Sequence, residues 1–434
     1  MATGLISNLP NEILSIVFRY ATLDDFSTET TYDDPCVLAT YRFTEYERSQ
    51  EAVKTKSSIS KVCKHWNDVN SRFLCEYVYL TNARRREVLD GLARCLGRLE
   101  SGIRGTARGR WTKRVDICLG TFGEDWHTQY SDEDGAELYG WQDVLSLTPN
   151  VSIVSLFEGP RDCPCDWSTE VFFSLSKLSS LRRVEWDGTM SDMADLQQLS
   201  VLCQSLTHVA FTLTASRSGD SDASTDAFKI HFPQVQTLML KWDQTEDPTT
   251  FYPPFQPWQL PNLKHLTYYL REVPSFYLAR NLIQGVGDHL RSLELPVLGR
   301  NNMVFLPQEF FTLVPVLEVL ILDVFKTSLP SPGLATHSCL RLLGLRLRMG
   351  CSLYDIGLLE ALHETFRLSA FPALEKARIV HPLNFMDYAH YMTDPLLTCW
   401  TSMTEDEEWI PIVTFDDSPV PISAIRRTSV SLDL

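Results

Sequence analysis

Three places in the sequence gather residue types that bind metal, phosphate or nucleotide. His363-Glu364 opens like a helical zinc-protease pair, in which a second histidine four residues on completes the ligand set. That position is Arg367, so the pair is missing. Cys163-Pro164-Cys165 offers two thiolates where a structural zinc takes about four ligands. No other cysteine pair lies near it in sequence, so it reads as a loop with two free thiols. Gly285-Val286-Gly287 follows a helical pattern instead of a strand, so it reads as a helix C-terminus and not a nucleotide-binding turn. The chain has neither a Gly-x-Ser-x-Gly elbow nor a phosphate loop ending in Lys-Ser or Lys-Thr. The expectation is a protein without catalytic residues, metal or cofactor, and so not an enzyme.

The 434 residues are 44% hydrophobic, a globular fraction, and too many for one compact core. A formal net charge of -16 repels phosphate backbones and disfavours nucleic acid as a partner. From Arg84 to Arg114 the balance reverses, with ten Lys or Arg against Glu87, Asp90 and Glu100. This stretch reads as a solvated basic helix and loop balancing the acidic run from Glu124 to Glu137; the alternative is a nuclear-import or acidic-partner contact. No apolar run is long enough for a bilayer, and the start has no secretory pattern. The odd count of 11 scattered cysteines then reads as reduced thiols, which leads to an expectation of cytoplasm or nucleus.

Without active-site chemistry, the informative residues are those that make surfaces. Asn8-Leu9-Pro10-Asn11-Glu12-Ile13-Leu14 has the form of a helix start, with proline in the first turn and Glu12 at the positive dipole end. Ile13, Ile16, Val17 and Tyr20 then share a face, widened by Leu14 and Phe18. A second helix is expected from about Ser57, with Ile59, Val62, Cys63 and Trp66 in one apolar stripe. Val69 and Phe73 continue in a short third segment. Two or three such helices bury little among themselves, so their apolar surface needs a partner or the rest of the chain.

Leu9-Pro10-Asn11-Glu12-Ile13-Leu14 followed by Val62-Cys63-Lys64-His65-Trp66 resembles the F-box motif, with Tyr77-Val78-Tyr79-Leu80 as the ensuing strand. The resemblance covers residues 5–80, interrupted by an acidic insertion at 22–55. It implies docking on the Skp-family adaptor of a cullin–RING ubiquitin ligase. The matched positions are Leu9, Pro10, Ile13, Leu14, Val17, Ile59, Val62, Cys63 and Trp66. The alternative is that these helices merely cap the rest of the chain.

The remainder of the chain is self-similar. A small or proline residue and then an apolar-x-x-apolar-x-apolar run recur with anchors at Val151, Leu181, Leu206, Val235, Leu263, Leu290, Leu317, Leu340 and Leu374. The mean period is about 28, within the leucine-rich-repeat range. Helical patterns fall between the strands at 192–202, 275–287 and 352–369. Arg114 to Leu119 reads as an atypical first repeat, and Trp409 to Phe415 as a strand in an otherwise mobile tail. The expected fold is α/β: a helical F-box-like motif (5–80), a basic helical linker (81–110), an irregular leucine-rich-repeat solenoid (111–400), and a cap strand with tail (401–434).

Alternate strand positions should point away from the helices. That places Arg183, Glu185, His208, Lys241, His265, Tyr269, Glu294, Asp323, Arg346 and Arg378 on one expected solvent-facing surface, where a protein target would be recognised. The resemblance thus implies the substrate receptor of an SCF-type ligase; the alternative is a leucine-rich scaffold acting outside any ligase.

Overall fold

The structure, a computed structural model, describes residues 9–21, 52–80, 86–97, 107–118, 140–157, 167–187, 193–214, 229–243, 258–270, 275–297, 304–323, 327–328, 336–346, 369–380 and 412–413. These residues divide into two compact units between Val235 and Gln236. The first holds β1 (Tyr77–Leu80), β2 (Arg114–Cys118), β3 (Ile153–Phe157), β4 (Arg183–Asp187) and β5 (His208–Thr214). The second holds β6 (Thr237–Asp243), β7 (His265–Tyr269), β8 (Ser292–Leu295), β9 (Val304–Phe305), β10 (Val319–Asp323), β11 (Thr327–Ser328), β12 (Leu342–Arg346), β13 (Lys376–Ile379) and β14 (Ile412–Val413).

The repeat is set by the anchors. All nine are buried, none more than 4% exposed. Each begins its strand two residues later, at Ile153, Arg183, His208, Thr237, His265, Ser292, Val319, Leu342 and Lys376. The residue between anchor and strand makes the rung. The Ser152 carbonyl accepts from the Arg182 and Arg183 N–H groups at 2.9 and 3.0 Å, and the Arg182 carbonyl accepts from Thr207 and His208 at 2.8 and 3.0 Å. The same forked bond recurs in the second unit at Gln236, Lys264, Arg291 and Glu318. These forked bonds tie each of these strand starts to the residue before the preceding strand.

Within each unit the neighbouring strands are parallel. In the first, register aligns Val78, Val115, Val154, Val184 and Val209 in one row and Leu80, Ile117, Leu156, Trp186 and Phe211 in the other inward row. β-branched and aromatic side chains fit a pleated, buried surface. Phe172, on the helix Trp167–Ser176, packs on Trp186 with centroids 5.1 Å apart, so helices cover this face. In the second unit Leu238, Leu266, Leu293, Leu320, Leu343 and Ala377 form the matching row. β14 pairs with β13 inside the strand-like run expected near the C-terminus. The helix Ser275–Val286 ends at Gly287, whose N–H donates to the Ile283 carbonyl at 2.7 Å. A Cβ there would collide with the Leu313 carbonyl, so the glycine also permits a close backbone approach. The helical pattern at 352–369, Cys163, Cys165, His363 and most of the tail lie outside the described residues.

The N-terminal helices run directly into the first strand. The helix α3 runs from Lys64 to Glu76 and passes without a linker into β1, which pairs with β2 in register Tyr77↔Arg114. The helices and first strands are therefore continuous in one unit, because Cys75 and Tyr77 carry the buried row through the junction. One expectation here needs correction: the stripe Ile59, Val62, Cys63 and Trp66 is not one helix. The preceding helix α2, over 52–60, ends, residues 61–63 turn, and Cys63 takes an extended N-cap conformation (φ -162°, ψ 168°). Its sulfur accepts from the Trp66 N–H at 3.5 Å, so the chain restarts as α3 in a new direction, and Val69 and Phe73 belong to that same helix.

Candidate docking site

The N-terminal helix α1 (Asn11–Ala21) carries two apolar faces. Leu14 and Phe18, each 1% exposed, form a core with Phe73 of α3. Leu9, Ile59, Trp66 and Val69 pack against that core, and Phe18 meets Trp66 edge to face at 5.0 Å. Asn70 locks the arrangement: its amide donates to the Lys56 carbonyl at 2.7 Å and the Ser60 hydroxyl at 2.8 Å, tying the 52–60 helix to α3.

The second face is open. Ile13 is 44% exposed, Ile16 52%, Val17 49% and Tyr20 75%, and Val62 in the turn before α3 is 60% exposed. At about 100° per residue, the two faces together cover roughly 200° of the helix, twice the stripe that a core-facing helix needs. Among the described residues only Phe173, Val201 and Val316 are comparable exposed large apolar side chains, and they lie on other elements. Single exposed apolar residues are ordinary; four on two turns of one helix make a contiguous apolar patch.

The structure therefore sorts the positions matched to the motif. Leu14 belongs to the core, and Leu9, Ile59 and Trp66 support it. Pro10, Ile13, Val17, Val62 and Cys63 are exposed. Ile16 and Tyr20 join the open face although the motif did not select them; the helical stripe through Ile13 and Val17 was their signal.

The opposite outcome holds on the sheet face. The expected solvated surface is largely buried: Arg183, His208 and Asp323 are fully buried, and Glu294 and Arg378 are at most 6% exposed. Lys241, His265, Tyr269, Glu185 and Arg346 are partly buried. The charges survive because i, i+2 neighbours on one strand pair with one another and adjacent strands add hydrogen bonds. In the first unit Glu185 accepts from Arg183 Nε at 2.8 Å and from the Ser155 hydroxyl at 2.9 Å. His208 Nε2 lies 3.8 Å away and Arg114 4.0 Å. Arg114 also reaches Asp116 at 2.7 Å, and Asp116 accepts from the Tyr77 hydroxyl at 2.7 Å. Burial, reinforced by Asp116, pushes the Tyr77 pKa far up, so its hydroxyl stays a donor. In the second unit Arg346 pairs with Glu294, which also accepts from Thr267 at 2.8 Å. Burial opposes the Arg346 charge, but Glu294, Tyr269 and Asp323 together outweigh it and the guanidinium pKa stays above its ordinary value. Alternation put these residues on one face; their burial goes with ion pairs inside a strand, Arg183–Glu185 and Arg114–Asp116, and with partners on neighbouring strands such as Ser155 and Thr267.

Among the described residues no group of His, Cys, Asp and Glu could hold a metal ion, and no helix is long and apolar enough to cross a membrane. The geometry defines a mixed α/β fold of parallel-strand repeats, of the leucine-rich-repeat solenoid type, entered through a helical module with an open apolar face. No family model and no curated protein matches the sequence. Among solved structures, the crystal structure of a Rad7 and Elc1 complex in yeast is similar to this chain at 11% identity and a TM-score of 0.27. The similarity covers 80% of this chain and 94% of that one. The fold assignment rests on the register and rungs described above.

Proposed function

We propose that this chain is the substrate-recognition subunit of an SCF-type (Skp–cullin–F-box) ubiquitin ligase, docking the Skp-family adaptor through α1 and the turn before α3. The observation that carries this reading is the open face of Ile13, Ile16, Val17 and Tyr20, beside the motif residues Pro10 and Val62. A helical cap for the repeats needs only the inward face of Leu14 and Phe18, and would have no use for a second one. On this reading the chain supplies no reacting group: it holds a target close to the transfer machinery, and rate comes from proximity. The target-facing side chains are then those the sheet leaves partly accessible, Lys241, His265 and Tyr269.

Co-purification of full-length chain with purified Skp-family adaptor tests this, using wild type and an Ile13→Asp, Val17→Asp variant. Circular dichroism monitors the fold. Capture by wild type and loss in the folded variant is expected. Failure of the wild type to bind would leave a repeat scaffold working outside a ligase.

A further inference from the structure

The buried charges of the first unit form one continuous network. Tyr77 closes α3 as its C-cap and opens β1. Its hydroxyl donates to Asp116 Oδ2 at 2.7 Å, and Asp116 Oδ1 accepts from Arg114 Nε at 2.7 Å. The Arg114 guanidinium lies 5.7 Å from the centre of the Tyr77 ring, and its Nη2 is 4.0 Å from Glu185 Oε2. Glu185 then meets Arg183 of its own strand, Ser155 of β3 and His208 of β5. The network therefore starts where the helical module ends and runs across β1 to β5, and every member except Glu185 is buried.

Such a network is a poor source of stability. The penalty of desolvating ions is about as large as the gain from pairing them, so apolar side chains of the same shape would hold the sheet as well. What the network supplies is direction. The apolar rows on the helix-covered face hold the strands by contacts that tolerate small slides and tilts. Hydrogen bonds weaken steeply once length and angle leave their optimum. Tyr77 and Asp116 thus stay bonded only while α3 and β2 keep one relative attitude. α3 in turn carries Phe73, which packs with Leu14 and Phe18 of α1. Rotation of the helical module against the sheet would break the Tyr77–Asp116 bond and leave Asp116 short of a donor in a dry site.

We propose that this network is a coupling device: it makes the helical module and the first five strands one cooperative body, so that α1, α3 and β1–β5 open together and move together. The coupling stands whichever protein docks on α1. In a receptor it holds the docking helix at a fixed place on the sheet, which is the condition for rate by proximity.

Native-state hydrogen exchange of the full-length protein, read by mass spectrometry of its peptides, provides the test. In wild type the slowest amides of α3 and of β3–β5 are expected to exchange with the same opening free energy. Tyr77→Phe removes one hydroxyl and keeps the ring; Asp116→Asn keeps the shape and removes the charge. Each should let α3 exchange at least about tenfold faster than β3–β5. Val115→Ala, on the helix-covered row, weakens the same strands without touching the network and should speed both regions alike. Wild type in which α3 already exchanges about tenfold faster than β3–β5 overturns the coupling. So does a Tyr77→Phe or Asp116→Asn protein in which the two regions stay together. Separation of the regions by Val115→Ala overturns it too, since any weakening would then suffice.

Discussion

Leu14 and Val17 are three residues apart on one helix, and the structure assigns them opposite work. Leu14 is 1% exposed, and its truncation to alanine empties a packed site at a cost of about 2–5 kcal/mol of stability. Val17 and Ile16 are 49% and 52% exposed, so about half of each side chain remains to be buried by a partner. Full burial of such a side chain contributes about 1.5–3 kcal/mol, so each has about 1 kcal/mol left to give. An Ile16→Ala, Val17→Ala variant should therefore keep its melting temperature within a degree or two. Its adaptor affinity should fall by about 1.5–2 kcal/mol, roughly 10- to 30-fold in Kd. Leu14→Ala should do the reverse, melting several degrees lower while its folded fraction binds normally. Calorimetric titration alongside thermal melts reads both quantities. An Ile16→Ala, Val17→Ala variant that is folded and binds within twofold of wild type would refute the assignment of this face to docking.

Three further outcomes are expected from the packing. Glu185→Leu removes the carboxylate that the fully buried Arg183 contacts and should cost about 3–5 kcal/mol; Arg183→Met added to it should restore most of the loss, and melts in which the double variant is no better would contradict the pairing. His337 donates from Nε2 to the Val314 carbonyl at 2.8 Å and accepts at Nδ1 from the Leu340 N–H at 3.0 Å, a neutral ring by its partners. Burial lowers its pKa, the Val314 bond partly opposing. Below about pH 6.5 the unfolded chain therefore takes up a proton that the folded chain refuses. Stability present at neutral pH should decline on acidification, and His337→Gln should flatten that part of the melting-temperature profile. Cys203 is buried and its thiol is pushed up to about 12 by desolvation, whereas Cys63 is exposed. Mass spectrometry after brief alkylation of native protein should find Cys63 labelled and Cys203 untouched, and equal labelling would show that the Cys203 site opens readily.

The sequence by itself determined the repeat. Anchors at a period near 28 are a local pattern, and each forces its strand two residues later, so Val151 through Leu374 located nine strands without any knowledge of contacts. The amphipathic stripe of α1 was legible for the same reason, since helical periodicity is carried by neighbouring residues. Tertiary structure decided which half of that stripe faces inward. Leu14 and Phe18 are buried because Phe73 and Trp66, more than 45 residues away, meet them. It also decided that Cys63 breaks a stripe that the spacing of Ile59, Val62 and Trp66 presented as continuous. On the sheet face, alternation correctly placed Arg183, Glu185 and His208 on one side. Whether that side is wet or dry depends also on cross-strand neighbours supplied by register. Periodicity is a property of adjacent residues, whereas burial belongs to pairs that only the folded chain brings together.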